Sequence, residues 1–185
     1  MEILRKIYLF LLDTVQTFLI AAAVFLVIYI FLFRPFEVKG ESMYPNFYDK
    51  EYVITNLIGL RLSHPKLGDV VVFKAPPDPT KDYIKRIIGS SGDTVSVKDG
   101  NVYLNGKRLD ESAYLKSDVK TYSGQFLKED SPVTVPNGYF FVMGDNRLFS
   151  SDSREWGFVK DTDIIGESMF VYWPVNRMRM IKNPY

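Results

Sequence analysis

TVQTFLIAAAVFLVIYIFLF, residues 14–33, divides this chain into two parts with different solvents. Its twenty residues carry no charge, and Gln16, near the start, is the only strongly polar one. At 1.5 Å per residue such a helix is about 30 Å long, enough to cross a hydrocarbon core. Arg5 and Lys6 precede it while Arg34 and Lys39 follow, so flanking charge does not choose an orientation. The run is longer than the apolar core of a cleavable leader and ends in Phe31-Leu32-Phe33. No small-x-small site follows before Arg34-Pro35. It reads as an uncleaved anchor, giving a short segment 1–13, a transmembrane helix 14–33 and one domain from 34 to 185.

The domain is large enough for a real core. Pro35 ends the helix, and beyond it the hydrophobic pattern has a period of two. Predicted strands cover 51–54, 69–73, 83–88, 93–97, 139–143 and 169–173. Ala75-Pro76-Pro77-Asp78-Pro79 reads as a proline loop, Asp99-Gly100 as a hairpin turn, and Asn105-Gly106 as a second tight turn. Residues 111–132 are polar and irregular and read as a variable loop. The expected fold is mostly β behind an N-terminal transmembrane helix.

Composition excludes several chemistries. Lys and Arg number 23 against 22 Asp and Glu, with no basic stripe, which argues against a general nucleic-acid binder. There is no cysteine, so thiol nucleophiles, disulfides and cysteine-ligated metals are absent. One histidine, His64, rules out a His-rich metal site.

Ser42, in Gly40-Glu41-Ser42-Met43-Tyr44-Pro45, lies nine residues past Phe33. Those residues reach at most about 30 Å, so Ser42 works near a bilayer surface. A serine hydroxyl needs a base to act as a nucleophile. Lys85, in Asp82-Tyr83-Ile84-Lys85-Arg86-Ile87-Ile88, is a lysine among apolar residues. On a strand it shares a face with Tyr83 and Ile87. Taken alone, it reads as a solvated edge-strand lysine; only its pairing with Ser42 and the segment that follows changes that reading. Burial lowers a lysine pKa by disfavouring the charged form, and a value near 8 would need only about 3 kcal/mol. The segment 143–154, MGDNRLFSSDSR, runs from a strand into a turn with two acids and two arginines. It suits a structural turn held by Asp–Arg pairing, compatible with an active-site buttress. The acids lack a familiar metal-ligand spacing.

Gly-x-Ser-Met-x-Pro after an anchor, Gly68-Asp69-Val70-Val71-Val72-Phe73, Tyr83-Ile84-Lys85-Arg86, and Gly144-Asp145-Asn146 through Ser151-Asp152-Ser153-Arg154 occur in that order. In this order the chain resembles the type I signal peptidases, in the short single-anchor form. The resemblance implies a serine endopeptidase that removes signal peptides from exported preproteins, with Ser42 as nucleophile and Lys85 as general base. Arg86, Asp145, Asp152 and Arg154 match supporting positions, and Ser150 matches a serine that orients the lysine amine. No cofactor or metal is implied. The implied partners are preprotein signal peptides, the lipid bilayer and the secretion machinery, with the catalytic domain on the extracytoplasmic side of the cell membrane and residues 1–13 in the cytoplasm. Family substrates carry small residues one and three before the scissile bond; candidate pocket residues are Phe36, Met43, Val70 to Phe73 and Ile84. Some members place a hydroxyl two residues before the nucleophile, where this chain has Gly40, so the second oxyanion donor must come from elsewhere.

Two decoys and one rival complete the reading. Gly166-Glu167-Ser168-Met169 repeats the letters around Ser42 but lacks the proline and runs into a strand. His64 sits in a polar loop, Leu62 to Lys66, before Pro65. The rival function is a catalytically silent, membrane-tethered β-domain that binds extended peptides or partner proteins.

Overall fold

A computed structural model describes residues 1–57 and 64–185, so Leu62 and Ser63 of the His64 loop lie outside the described residues. The chain divides into two compact units, Met1–Arg34 and Pro35–Tyr185. The first is one helix, α1 (Glu2–Leu32), which starts well before the charge-free run. Its segment Glu2–Val27 has a mean hydropathy of 2.1 and is long and apolar enough to cross a membrane. Thr14 and Thr17 donate their hydroxyls to the carbonyls of Phe10 and Asp13 one turn back, at 2.8 and 2.7 Å. Their polar groups are thereby satisfied inside the helix, as an apolar medium requires.

The second unit is built of strands. Its larger sheet, with eight strands, holds β1 (Phe33–Glu37), β2 (Tyr52–Asn56), β3 (Val70–Ala75) and β4 (Asp78–Gly89). A smaller sheet holds β5 (Thr94–Lys98), β6 (Asn101–Leu104), β7 (Lys107–Arg108) and β8 (Val133–Thr134). The chain then returns to the larger sheet with β9 (Tyr139–Met143), β10 (Val159–Lys160), β11 (Ile164–Trp173) and β12 (Arg179–Met180). A short helix, α2 (Ser153–Trp156), lies between β9 and β10. The larger sheet runs β1-β2-β11-β3-β4-β9-β10, with β12 beside β11; the smaller runs β7-β6-β5-β8. Asp99-Gly100 and Asn105-Gly106 form the two tight turns that join β5, β6 and β7, through Lys98↔Asn101 and Leu104↔Lys107.

The proline segment differs from its reading as a loop. Pro76-Pro77 is the turn of a long hairpin, with Ala75 opposite Asp78, and Pro79 lies within β4. It is tolerated there because, among the described residues, the first part of β4 pairs only with β3 and its other edge is open. The second part is buried and feeds three cores: Ile88 packs with Val95, Phe141 and Met143, Ile87 with Val71, Phe73 and Val142, and Ile84 against Met43, Phe47 and Val53. Residues 111–132 hold no helix or strand, as expected of a loop, but the segment is packed against the domain. Leu127 is buried in the first core, and Tyr114, Leu115 and Thr121 are buried as well.

Candidate active site

Ser42 is held at the lip of a turn by the residues on either side. Met43 is fully buried against Val38, Phe47, Val53 and Val171, so the neighbouring side chain faces outward. Tyr44 N–H donates to Glu41 O at 3.0 Å and Phe47 N–H to Met43 O at 2.9 Å, closing the turn. Asn146 fastens it to the far side of the site: its N–H donates to Ser42 O and its Nδ2 to Glu41 O, both at 3.0 Å. Among the described residues nothing accepts from the Ser42 N–H, which leaves it free for a ligand.

Lys85 reaches this serine from β4. Its Nζ lies 2.6 Å from Ser42 Oγ and donates to Ile84 O at 2.9 Å. The side chain is 4% exposed, and Nζ lies 5.4 Å from the centre of the Tyr83 ring. Burial pushes the amine down from the ordinary 10.5 to about 8, against the pull of Asp152 and Asp145, which favour its charge. About a tenth of the molecules then carry a neutral amine at pH 7, against one in a few thousand for a free lysine.

Three arginine–carboxylate pairs brace the elements that carry the two residues; two are buried, and in the third Glu111 is partly exposed. Arg86 grips Asp145 with two bonds, at 2.8 and 2.6 Å, and donates to Gly68 O at 2.8 Å. Arg154 grips Asp152 with two bonds at 2.8 Å. Burial opposes ionisation of Asp152, yet the bonds from Arg154 and from Gly144 N–H outweigh it and hold the carboxyl below its ordinary 3.8. The third pair, Arg147 with Glu111, went unread in the sequence because Glu111 lies in the segment taken for a loop. Arg147 also donates to Thr121 Oγ1 at 2.8 Å and Gly144 O at 3.0 Å. Asn46 was missed too; its Nδ2 donates to Asp145 Oδ2 and Tyr114 O, both at 2.8 Å.

Gly144 is the point of closest approach. A methyl group there would collide with Ser42 O and with the Ser150 side chain, so only glycine lets the late loop reach the Ser42 turn. Ser150 Oγ is buried beside it without a hydrogen bond of normal geometry, although it lies near enough to Asp152 to help hold that carboxyl down. Among the described residues Lys85 Nζ donates to Ile84 O, and Ser150 Oγ makes no hydrogen bond to it.

A cavity of about 260 Å³ opens in front of the pair, lined by Phe36, Val38, Val53, Val72, Tyr83 and Ile84 on its apolar side, with Glu37, Lys39 and Asp82 at the edge. Of the pocket residues read from the sequence, Phe36, Val72 and Ile84 line it. Met43, Val70, Val71 and Phe73 do not: Val71 and Phe73 lie on the face of β3 opposite Val72, and Met43 and Val70 pack into the core with Val38 and Phe47. The decoys lie elsewhere. Ser168 is 1% exposed on β11, with its Oγ 3.5 Å from Thr55 Oγ1, and His64 lines a separate cavity with Phe140 and Asp161. Among the described residues no cluster of acids and histidine converges as a metal site.

Residues 11–173 match the family described as Signal peptidase, peptidase S26. Signal peptidase I T of Bacillus subtilis is 41% identical over 171 residues, covering 90% of this chain and 88% of that protein. Signal peptidase IB of Staphylococcus aureus is 35% identical over 185 residues, covering 94% and 95%. A crystal structure of a signal peptidase I from Enterococcus faecalis V583 is 31% identical, with a TM-score of 0.47, over 57% of this chain and 97% of that one. The chain belongs to the S26 signal peptidase family and is a peptidase.

Proposed function

We propose that the chain is a membrane-anchored serine endopeptidase that cleaves signal peptides from exported preproteins, with Ser42 as nucleophile and Lys85 as general base. The observation that carries this reading is the 2.6 Å contact between Lys85 Nζ and Ser42 Oγ, made by a lysine that burial holds near 8. α1 is the anchor and residues 34–185 are the catalytic domain, on the extracytoplasmic side where signal-peptide ends emerge. The bilayer and the secretion machinery are its neighbours there.

In the first step the neutral Lys85 amine takes the Ser42 hydroxyl proton while Oγ attacks the scissile carbonyl carbon. The oxyanion is met by the Ser42 N–H. The ammonium then returns its proton to the leaving amine, which departs as the mature N-terminus and leaves an ester on Ser42. Water deprotonated by Lys85 hydrolyses that ester and frees the signal peptide. Arg86, Asp145, Asp152 and Arg154 hold the lysine strand against the late loop, and Ser150 packs beside Gly144 and Asp152 in that loop.

The open edge of the first half of β4 supports an extended substrate laid beside Asp82 to Lys85, gaining backbone hydrogen bonds as an added strand. The apolar side of the cavity suits small side chains near the scissile bond.

The test is cleavage of a purified preprotein in detergent by the wild type, Ser42→Ala, Lys85→Ala and His64→Ala. The expected result is that the first two variants lose cleavage and the third keeps it. An inactive wild type that still binds signal peptides would establish the tethered binding module instead.

A further inference from the structure

The C-terminal strand grips the turn that carries Ser42. β12 pairs with β11 through Phe170↔Met180 and Val171↔Arg179, and Arg179 reaches across to two acceptors at once. Its guanidinium bonds both oxygens of Glu51, at 2.9 and 2.7 Å, and Nη2 also donates to Asn46 O at 2.5 Å. Glu51 is fully buried, and its Oε2 accepts from Tyr48 N–H at 3.1 Å. Nearby, Arg177 stacks 4.1 Å over the Tyr48 ring, which itself packs edge-on against Tyr44.

Asn46 is the joint between the two halves of the site. Its carbonyl is held by Arg179, while its side chain donates to Asp145 Oδ2. Asp145 in turn fixes Arg86, the neighbour of Lys85 on β4. A planar five-donor fork can serve a carboxylate and a carbonyl together; an ammonium is a single point donor. Were the ion pair with Glu51 the whole purpose of Arg179, the additional bond to the Ser42 turn would be superfluous.

We propose that Arg179 is a positioning residue that sets the Ser42 turn against Lys85, acting through Asn46 and Glu51. This rests on the reading of Ser42 and Lys85 as the reacting pair. The geometry matters because a displacement of about 1 Å at a reacting atom can cost on the order of 100-fold in rate.

The test compares the full chain in detergent with Arg179→Lys and with the double variant Arg179→Met/Glu51→Gln, which removes both charges and strands neither. The expected result for the double variant is a thermal midpoint near that of wild type. Its kcat should fall about tenfold or more, with KM unchanged within about twofold. Arg179→Lys should give an intermediate kcat at unchanged KM, since it keeps the ion pair and loses the fork. Wild-type kcat in the folded double variant overturns the proposal, and if that variant does not fold, wild-type kcat in Arg179→Lys does so. Hydrogen exchange at the Tyr44 and Phe47 amides supplies a readout independent of turnover. It should accelerate in the variants while the β3–β4 amides stay protected, and unchanged exchange would also count against the clamp. If the wild type cleaves nothing, the peptidase reading falls, and the exchange data still decide whether Arg179 holds the turn.

Discussion

Gly40-Glu41-Ser42-Met43 and Gly166-Glu167-Ser168-Met169 are the same four residues in two backbone settings. In the first, Gly40 has φ +82° with open space around it, Glu41 is exposed, and Met43 is driven into the core. That arrangement turns the chain and leaves Ser42 facing a buried lysine. In the second, the residues lie within β11, paired to β2 on one side and β3 on the other. Glu167 is half-buried, and burial together with Asp69 raises its pKa. Ser168 Oγ lies 3.5 Å from the Thr55 hydroxyl. What sets Ser42 apart from Ser168 is its neighbours across the fold, Lys85 first among them, and the local letters do not supply them.

The largest effect that can sharpen this contrast is on turnover. Ser42→Ala should lower kcat/KM by about 10⁴-fold or more in a preprotein cleavage assay, and Lys85→Met by a similar factor, because a nucleophile and its base, the roles proposed for these two residues, act as a unit. The second effect is on stability. The folded lysine pKa of about 8 lies below the ordinary 10.5, so between these values the unfolded chain binds more protons and stability from this group rises with pH. Below about pH 8 the buried charge costs about 3 kcal/mol. Lys85→Met should therefore stabilise the domain by roughly that amount at pH 7. The gain should fade as pH rises toward 10.5, read from urea unfolding of both proteins.

Smaller effects probe the second setting. A methyl on Gly166 would strike the Asn56 backbone and the Thr55 side chain, so Gly166→Ala should destabilise by about 1–3 kcal/mol on the same urea curves. Gly40→Ala meets no neighbour, and its cost is confined to the left-handed backbone, about 1–2 kcal/mol. Ser168→Ala should be the mildest, within about 1 kcal/mol in stability and with cleavage within about twofold of wild type. Loss of cleavage in folded Ser168→Ala would break the contrast.

Much of this was legible in sequence because it rests on local pattern. The charge-free run gives the helix, period-two apolarity gives the strands, and Asp99-Gly100 gives its hairpin. Ser42 and Lys85 could be named from the order of four motifs, although neither carries its chemistry locally. What stayed hidden depends on long-range partners. Glu111 and Thr121 look like loop residues until Arg147 is seen bonded to both. Pro76-Pro77 suggests a broken ladder, yet a two-residue turn and an open strand edge need no donor there. Met43 and Phe73 are apolar enough to line a pocket; strand alternation turns Phe73 into the core, and the fold of the Ser42 turn does the same for Met43.

The most direct test of the Ser42–Lys85 account is the pH dependence of kcat/KM for preprotein cleavage, measured in the wild type and in His64→Ala. A general base with a pKa of about 8 predicts that the rate rises about tenfold per pH unit below that value and levels off above it, alike in both proteins. An acid limb that vanishes in His64→Ala would contradict it and give the proton transfer to histidine.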